Sequence, residues 1–120
     1  MADIKFKDVS LIKDNCTILL DINLQIKHGE YITLVGLTGA GKSSLIALIS
    51  GLYKPTSGQI FFDKTDVSGI PANQRNCGFM FESYVLFPHL TVLDNISYGQ
   101  HMKTRNKSHI YTIAQEVLDL

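Results

Sequence analysis

The sequence has no tryptophan, three prolines and only two cysteines in 120 residues, and each scarcity removes a class of protein. Cys16 and Cys77 stand alone, without a C-x-x-C pair or a histidine at ligand spacing, so neither a disulfide framework nor a zinc site is expected. They read as free thiols of a reducing compartment, the cytosol. An excess of one charge is also missing: 11 basic side chains balance 11 acidic ones, which argues against a chain that holds nucleic acid by neutralising phosphates. No apolar run reaches the roughly 18 residues needed to cross a bilayer, and Met1-Ala2-Asp3-Ile4-Lys5 is no signal-peptide start, so neither membrane insertion nor export is expected. Charged residues are 18%, against an average of about 25%, which is low for a short chain with much surface. The 45% of hydrophobic residues excludes a disordered tail and sets an upper bound of one small domain.

Apolar periodicity organises what is present. Ile4, Phe6 and Val9 suggest a short strand, and Ile18, Leu20, Ile22, Leu24 and Ile26 alternate along a longer one, as in a half-exposed antiparallel sheet. After His28-Gly29-Glu30, the run Tyr31-Ile32-Thr33-Leu34-Val35 predicts a strand buried on both faces. Leu45, Leu48, Ile49 and Leu52 fall on one face of a helix that Gly51 ends. Pro55-Thr56-Ser57-Gly58 is a loop, Gln59 opens a short strand through Phe62, residues 63–76 read as irregular, and Gly78-Phe79-Met80-Phe81 reads as a second buried strand. Thr91-Val92-Leu93-Asp94 has the form of a capping box before a short helix reaching about Tyr98. Ser108 is placed to cap a last helix that turns Ile110, Ile113, Ala114, Val117 and Leu118 inward.

Gly36-Leu37-Thr38-Gly39-Ala40-Gly41-Lys42-Ser43 matches G-x-x-x-x-G-K-[ST] between an expected strand and an expected helix. Glycines let successive backbone N–H groups point into one concavity, and the helix N-terminus behind them favours di- or triphosphate. Lys42 is placed to reach the β- and γ-phosphates, and the Ser43 hydroxyl to complete a Mg²⁺ shell with phosphate oxygens and water. His28, His89, His101 and His109 stand beside no candidate nucleophile or carboxylate, which favours surface or packing roles. Lys103-Thr104-Arg105-Asn106-Lys107 reads as a solvated loop between helices.

The flanks choose among nucleotide triphosphatases. Leu20-Asp21-Ile22-Asn23-Leu24 with Gly29-Glu30, the loop at residues 36–44, Gly51-Leu52 through Gly58, and above all the stretch from Gly78-Phe79-Met80-Phe81-Glu82 through Leu86-Phe87-Pro88-His89-Leu90-Thr91 to Asn95-Ile96 carry a likeness. On these residues the chain resembles the ATP-binding subunits of ATP-binding cassette (ABC) importers of the polyamine, sulfate and maltose type. The resemblance implies an α/β P-loop NTPase core, of which this is the N-terminal half, with an antiparallel β subdomain. It implies one partial ATP-binding domain over residues 1–120: phosphate loop at 36–44, a segment at 78–90 that senses the γ-phosphate and leans on membrane-spanning subunits, and the start of a helical subdomain at 91–120. Gly36, Leu37, Thr38, Gly39, Ala40, Gly41, Lys42, Ser43 and Ser44 would bind ATP, with Ser43 and Glu82 on Mg²⁺. Implied partners are permease subunits and a second ATP-binding subunit in a head-to-tail dimer, with the protein peripheral at the cytoplasmic face of the membrane.

Two residues depart from the family pattern. Lys13 stands where the family carries an aromatic residue stacked on adenine; losing a stack worth roughly 1–3 kcal/mol weakens binding about five- to 150-fold unless Lys13 or Ile12 substitutes. Glu82 replaces a glutamine and adds negative charge beside the γ-phosphate, so hydrolysis or coupling is expected to suffer more than binding. The resembled family's acidic strand end with its catalytic glutamate, its switch histidine and its LSGGQ-type signature do not occur within these 120 residues. No catalytic residue is therefore assigned, and the expectation is the first half of an importer ATPase subunit, as from a truncated or frameshifted reading frame, with a stand-alone nucleotide-binding module or inactive remnant that binds ATP with Mg²⁺ weakly as the alternative. A cassette ATPase of repair or translation is disfavoured by residues 86–92.

Overall fold

The computed structural model describes residues 2–83, 85–102 and 107–118, the side chains of residues 107–109 excepted. The basic cluster from Lys103 to Lys107 and the Ser108 cap thus lie outside the described side chains. The chain divides into two units, Met1–Cys77 and Gly78–Leu120.

In the first unit, β1 (Ile4–Lys13), β2 (Cys16–Ile26), β3 (Ser57–Phe62) and β4 (Thr65–Asp66) form one sheet in the order β2-β1-β3-β4, with every neighbouring pair antiparallel. Simple alternation fails within it because β1 and β2 carry bulges. Between Phe6 and Val9 an extra residue sits on β1, with Asp8 at φ 50°; between Ile22 and Leu19 an extra residue sits on β2, with Asp21 at φ 48°. Aspartate tolerates this left-handed conformation better than most residues, and here side chains hold it. The Asn23 Nδ2 donates to Asp8 Oδ1 (2.9 Å), and the Asp21 N–H donates to the Ser10 hydroxyl (3.0 Å). Each bulge flips the facing pattern. Val9 therefore joins Phe6 in the core, and Leu20, expected on the apolar face, is exposed while Leu19 is buried.

Helix α1 (Lys42–Ser50) lies against this sheet, and Leu48 is buried with Phe6, Val9, Leu11, Leu19, Ile60 and Val67. Leu45 and Ile49 pack alongside, as the 3.6-residue spacing predicts. Gly51 ends the helix at φ 82°, so Leu52 lies past the last turn and is exposed rather than inward. Residues 63–76, read as irregular, are largely ordered: β4 pairs with β3, a 3-10 turn spans Ala72–Gln74, and Arg75 is buried.

Residues 31–35 do not form the doubly buried strand expected of them. Tyr31 is 94% and Val35 87% exposed, and no described strand pairs with this segment. Burial on both faces needs sheet neighbours and a covering layer on each side. Among the described residues cover comes from one side, where Tyr31, Ile32, Thr33 and Leu34 line a cavity of about 480 Å³ with Leu24, Ile26 and the Leu45, Ile46 and Ile49 face of α1.

In the second unit the same correction applies to Gly78-Phe79-Met80-Phe81, which pairs with no described strand and leaves Met80 and Phe81 exposed. Helix α2 (Val92–His101) begins as expected and runs three residues further. The Thr91 hydroxyl accepts from the Asp94 N–H (3.1 Å) and donates to the Asp94 carboxylate (2.6 Å), so aspartate closes a shortened capping box on the hydroxyl. Helix α3 (Lys107–Leu118) packs on α2 and buries Ile110 and Ala114, while Val117 and Leu118 are exposed, contrary to the inward stripe.

Candidate nucleotide site

The loop from Gly36 to Gly41 leads directly into α1. Ala40 N–H donates to the Leu37 carbonyl (3.2 Å), and Leu45 N–H donates to that of Gly41 (2.9 Å), so a turn closes just where the helical ladder starts. Gly41 sits at φ 85°, and a Cβ there would come within 2.8 Å of Leu19 Cδ2 and 3.2 Å of the Ile18 carbonyl. Only glycine lets the loop press this closely on β2. The N-terminus of α1 has no side-chain cap and no acidic residue in its first turn, leaving its dipole to an anion.

Lys42 carries the positive charge of the site. Its Nζ donates to the carbonyls of Gly36 (2.9 Å) and Leu37 (2.7 Å), which draws the ammonium across the open side of the loop. Ser43 is exposed and Ser44 half-buried on the first turn, so both hydroxyls stand beside the loop. The loop thus brings together one ammonium, an uncapped helix N-terminus and two hydroxyl oxygens, groups whose chemistry suits a phosphate. Hard oxygen donors of this kind suit Mg²⁺ held together with phosphate oxygens. The nine residues from Gly36 to Ser44 are thus contiguous in the first unit, whereas Glu82 belongs to the second, exposed on a bend.

Lys13, which replaces the aromatic residue, is the last residue of β1 and places its Nζ 5.0 Å from the centroid of the Tyr53 ring. Tyr53 follows α1, its N–H bonded to the Ala47 carbonyl (3.1 Å), and lies far from Lys13 in sequence. Sequence reasoning missed Arg75 as well. It is 6% exposed, with Nη1 donating to the Leu48 (2.7 Å) and Ile49 (3.1 Å) carbonyls and Nε to that of Ile70 (2.7 Å). Burial pulls its guanidinium below the ordinary arginine pKa. A signal for it exists: α1 has no basic residue in its last turn, so its final carbonyls need a donor from elsewhere.

In the second unit, Phe79, Met80, Phe81, Val85 and Leu86 line an apolar cleft of about 280 Å³. Asn95 on α2 fixes the neighbouring loop, accepting from the Phe87 N–H (2.8 Å) and donating to the carbonyls of Phe87 (3.2 Å) and Thr91 (2.9 Å). Tyr98 stacks on Phe87 with ring centroids 4.5 Å apart. Among the described residues no helix is long and apolar enough to cross a membrane.

Comparisons with known proteins give the family. The family model described as ABC transporter matches residues 19–119. The chain is 42% identical over 104 residues to the spermidine/putrescine import ATP-binding protein PotA of Mesoplasma florum, covering 87% of this chain and 30% of that protein. To the Fe(3+) ions import ATP-binding protein FbpC of Brucella melitensis it is 38% identical over 119 residues, 99% of this chain and 34% of the relative. It therefore spans about a third of the length of these curated relatives. Among solved structures, a dimeric bacterial ABC transporter cassette superposes with a TM-score of 0.86 at 29% identity, over 97% of this chain and 56% of that one. The same cassette in a post-hydrolysis state bound to ADP and Pi gives 0.83. With the family model matched over residues 19–119, most of this chain, the chain belongs to the ABC transporter ATP-binding family.

Proposed function

We propose that this chain binds ATP with Mg²⁺ at residues 36–44 and serves as the nucleotide-binding part of an importer ATPase. One observation carries the reading: the Lys42 ammonium lies across a glycine-built loop at an uncapped helix N-terminus. The backbone of Gly36, Leu37, Thr38, Gly39, Ala40 and Gly41 wraps the phosphates, Lys42 reaches the β- and γ-oxygens, and Ser44 bonds the phosphate nearer the ribose. Ser43 would hold the Mg²⁺, with Glu82 as the second proposed protein ligand, and the ion's charge would offset that of the phosphates. Glu82 supplies a carboxylate in place of a neutral amide; it tolerates binding and slows hydrolysis, because it adds negative charge where the γ-phosphoryl group must leave. Lys13, held over Tyr53, leaves the base without a dedicated aromatic stack.

The chain by itself is expected to hydrolyse ATP negligibly, since the acidic strand end with its catalytic glutamate, the switch histidine and the LSGGQ-type signature of the resembled family do not occur within these 120 residues. In a complete assembly it sits at the cytoplasmic face of the membrane, its segment 78–90 against membrane-spanning subunits and a second ATP-binding subunit head to tail with it. The apolar cleft at Phe79 to Leu86 supports such a contact. Named relatives import a polyamine in one case and Fe(3+) in another, so similarity supports import without choosing the solute.

Equilibrium dialysis of the chain against labelled ATP with Mg²⁺, beside Lys42→Ala, tests the reading. Saturable binding that the substitution abolishes is expected; equal binding, or none by either protein, contradicts it.

A further inference from the structure

Helix α1 is held at both ends, and the hold at its far end is unexplained by anything its own sequence supplies. Its last turn contains no basic residue, yet the Leu48 and Ile49 carbonyls both accept from one Arg75 nitrogen, while the adjacent Nε bonds the Ile70 carbonyl. The slot is cut to this side chain. Gly51, at φ 82°, leaves room for it, and a Cβ there would lie 2.6 Å from Arg75 Nε and 3.0 Å from Arg75 Cδ. A buried guanidinium is costly to desolvate and is kept where its fixed fork satisfies several acceptors at once. Here those acceptors are the negative end of the same helix whose positive end is the phosphate loop.

We propose that Arg75 is a positioning residue of the nucleotide site, clamping the C-terminal end of α1 so that the loop at its N-terminal end is held at the aim and potential that phosphate binding needs. The inference rests on the nucleotide-binding reading above. Two physical links support it. First, α1 has nine residues, about 13 Å of rigid hydrogen-bonded rod, so a shift at the carbonyls of Leu48 and Ile49 carries to Lys42 and Ser43 undiminished. Second, a cation shielded from water at one end of that rod attracts an anion at the other; at an effective dielectric near 20 and about 15 Å, one unit charge is worth roughly a sixfold change in affinity. Coupling is reciprocal, so phosphate bound at the loop must alter the hold on Arg75 by the same factor.

The test uses the 120-residue chain in two measurements. Affinity for ATP with Mg²⁺ is titrated for the native sequence, Arg75→Lys and Arg75→Met, with urea unfolding of each to establish that it is folded. Arg75→Met is expected to weaken binding about three- to tenfold while remaining folded, and Arg75→Lys, which keeps the charge but has no fork, to recover part of the loss. The second measurement needs no variant of the clamp to fold. The chain has two arginines, Arg75 and Arg105, so the side-chain Nε–H resonance of Arg75 can be followed by NMR while nucleotide is added. A shift of this resonance that saturates with binding, and is absent in Lys42→Ala, is expected. A folded Arg75→Met chain with native affinity, or an Arg75 resonance unmoved by nucleotide that demonstrably binds, would overturn the clamp and leave the nucleotide reading standing. Absence of any binding by the native chain refutes both.

Discussion

Replacing Gly41 with alanine strikes where the loop, the helix and the sheet meet. The residue sits at φ 85°, a conformation that costs a residue with a Cβ about 1–2 kcal/mol. The added methyl would also stand 2.8 Å from Leu19 Cδ2 and 3.2 Å from the Ile18 carbonyl. Leu19 belongs to the core beside Phe6 and Leu48, so it can yield only by repacking, at about 1–3 kcal/mol. The native loop conformation therefore becomes roughly 2–5 kcal/mol less favourable. That energy must appear in one of two places. If the loop keeps its shape, urea unfolding of the first unit registers the loss; if it relaxes away from β2, stability is spared and nucleotide affinity falls by tens- to thousands-fold. Urea melts and ATP titration on the same preparation separate the outcomes. Native stability together with native affinity would refute the claim that this glycine is required by close approach.

Gly51→Ala is expected to destabilise the first unit by about 2–4 kcal/mol, because it strains a left-handed cap and displaces Arg75; urea unfolding checks it, and a change below about 0.5 kcal/mol contradicts it. Thr91→Ala should cost the second unit about 1 kcal/mol and speed hydrogen exchange at the first turn of α2, where the Asp94 N–H loses its acceptor. Acid unfolding reports on the β3–β4 hairpin. Hydrogen bonds from the Ser68 hydroxyl, its N–H and Gln59 hold Asp66 below the usual carboxylate pKa, so its contribution is complete above the unfolded value near 4 and lost as pH falls through the folded one. Asp66→Asn should flatten that part of the acid transition, and an unchanged profile would argue against these bonds.

Legibility differed sharply between local and non-local features. The phosphate loop was visible because its mechanism dictates glycine, lysine and serine at fixed spacing, and the Thr91 cap because one side chain serves its own helix. The bulges at Asp8 and Asp21 were not, since a single inserted residue leaves no mark on apolar composition yet reverses every face beyond it; Leu20 was misplaced for that reason. Residues 31–35 have the composition of a buried strand, but composition states what a segment can tolerate, not whether neighbours lie beside it. Arg75 was missed because its partners are backbone carbonyls some 26 residues away, which carry no side-chain signature. The Lys13–Tyr53 contact was hidden likewise, bridging the end of β1 and the turn after α1.

In the proposed function, residues 36–44 hold a nucleotide's phosphates through the loop backbone and Lys42. The most direct measure of that hold is the unfolding free energy of the chain as the concentration of ATP with Mg²⁺ is raised. A ligand bound only by the folded state adds about 1.4 kcal/mol of stability for each tenfold rise above its dissociation constant. That rise is predicted for the native chain and its absence for Lys42→Ala; stability that ignores nucleotide in the native chain, or climbs equally in both, would contradict the claim.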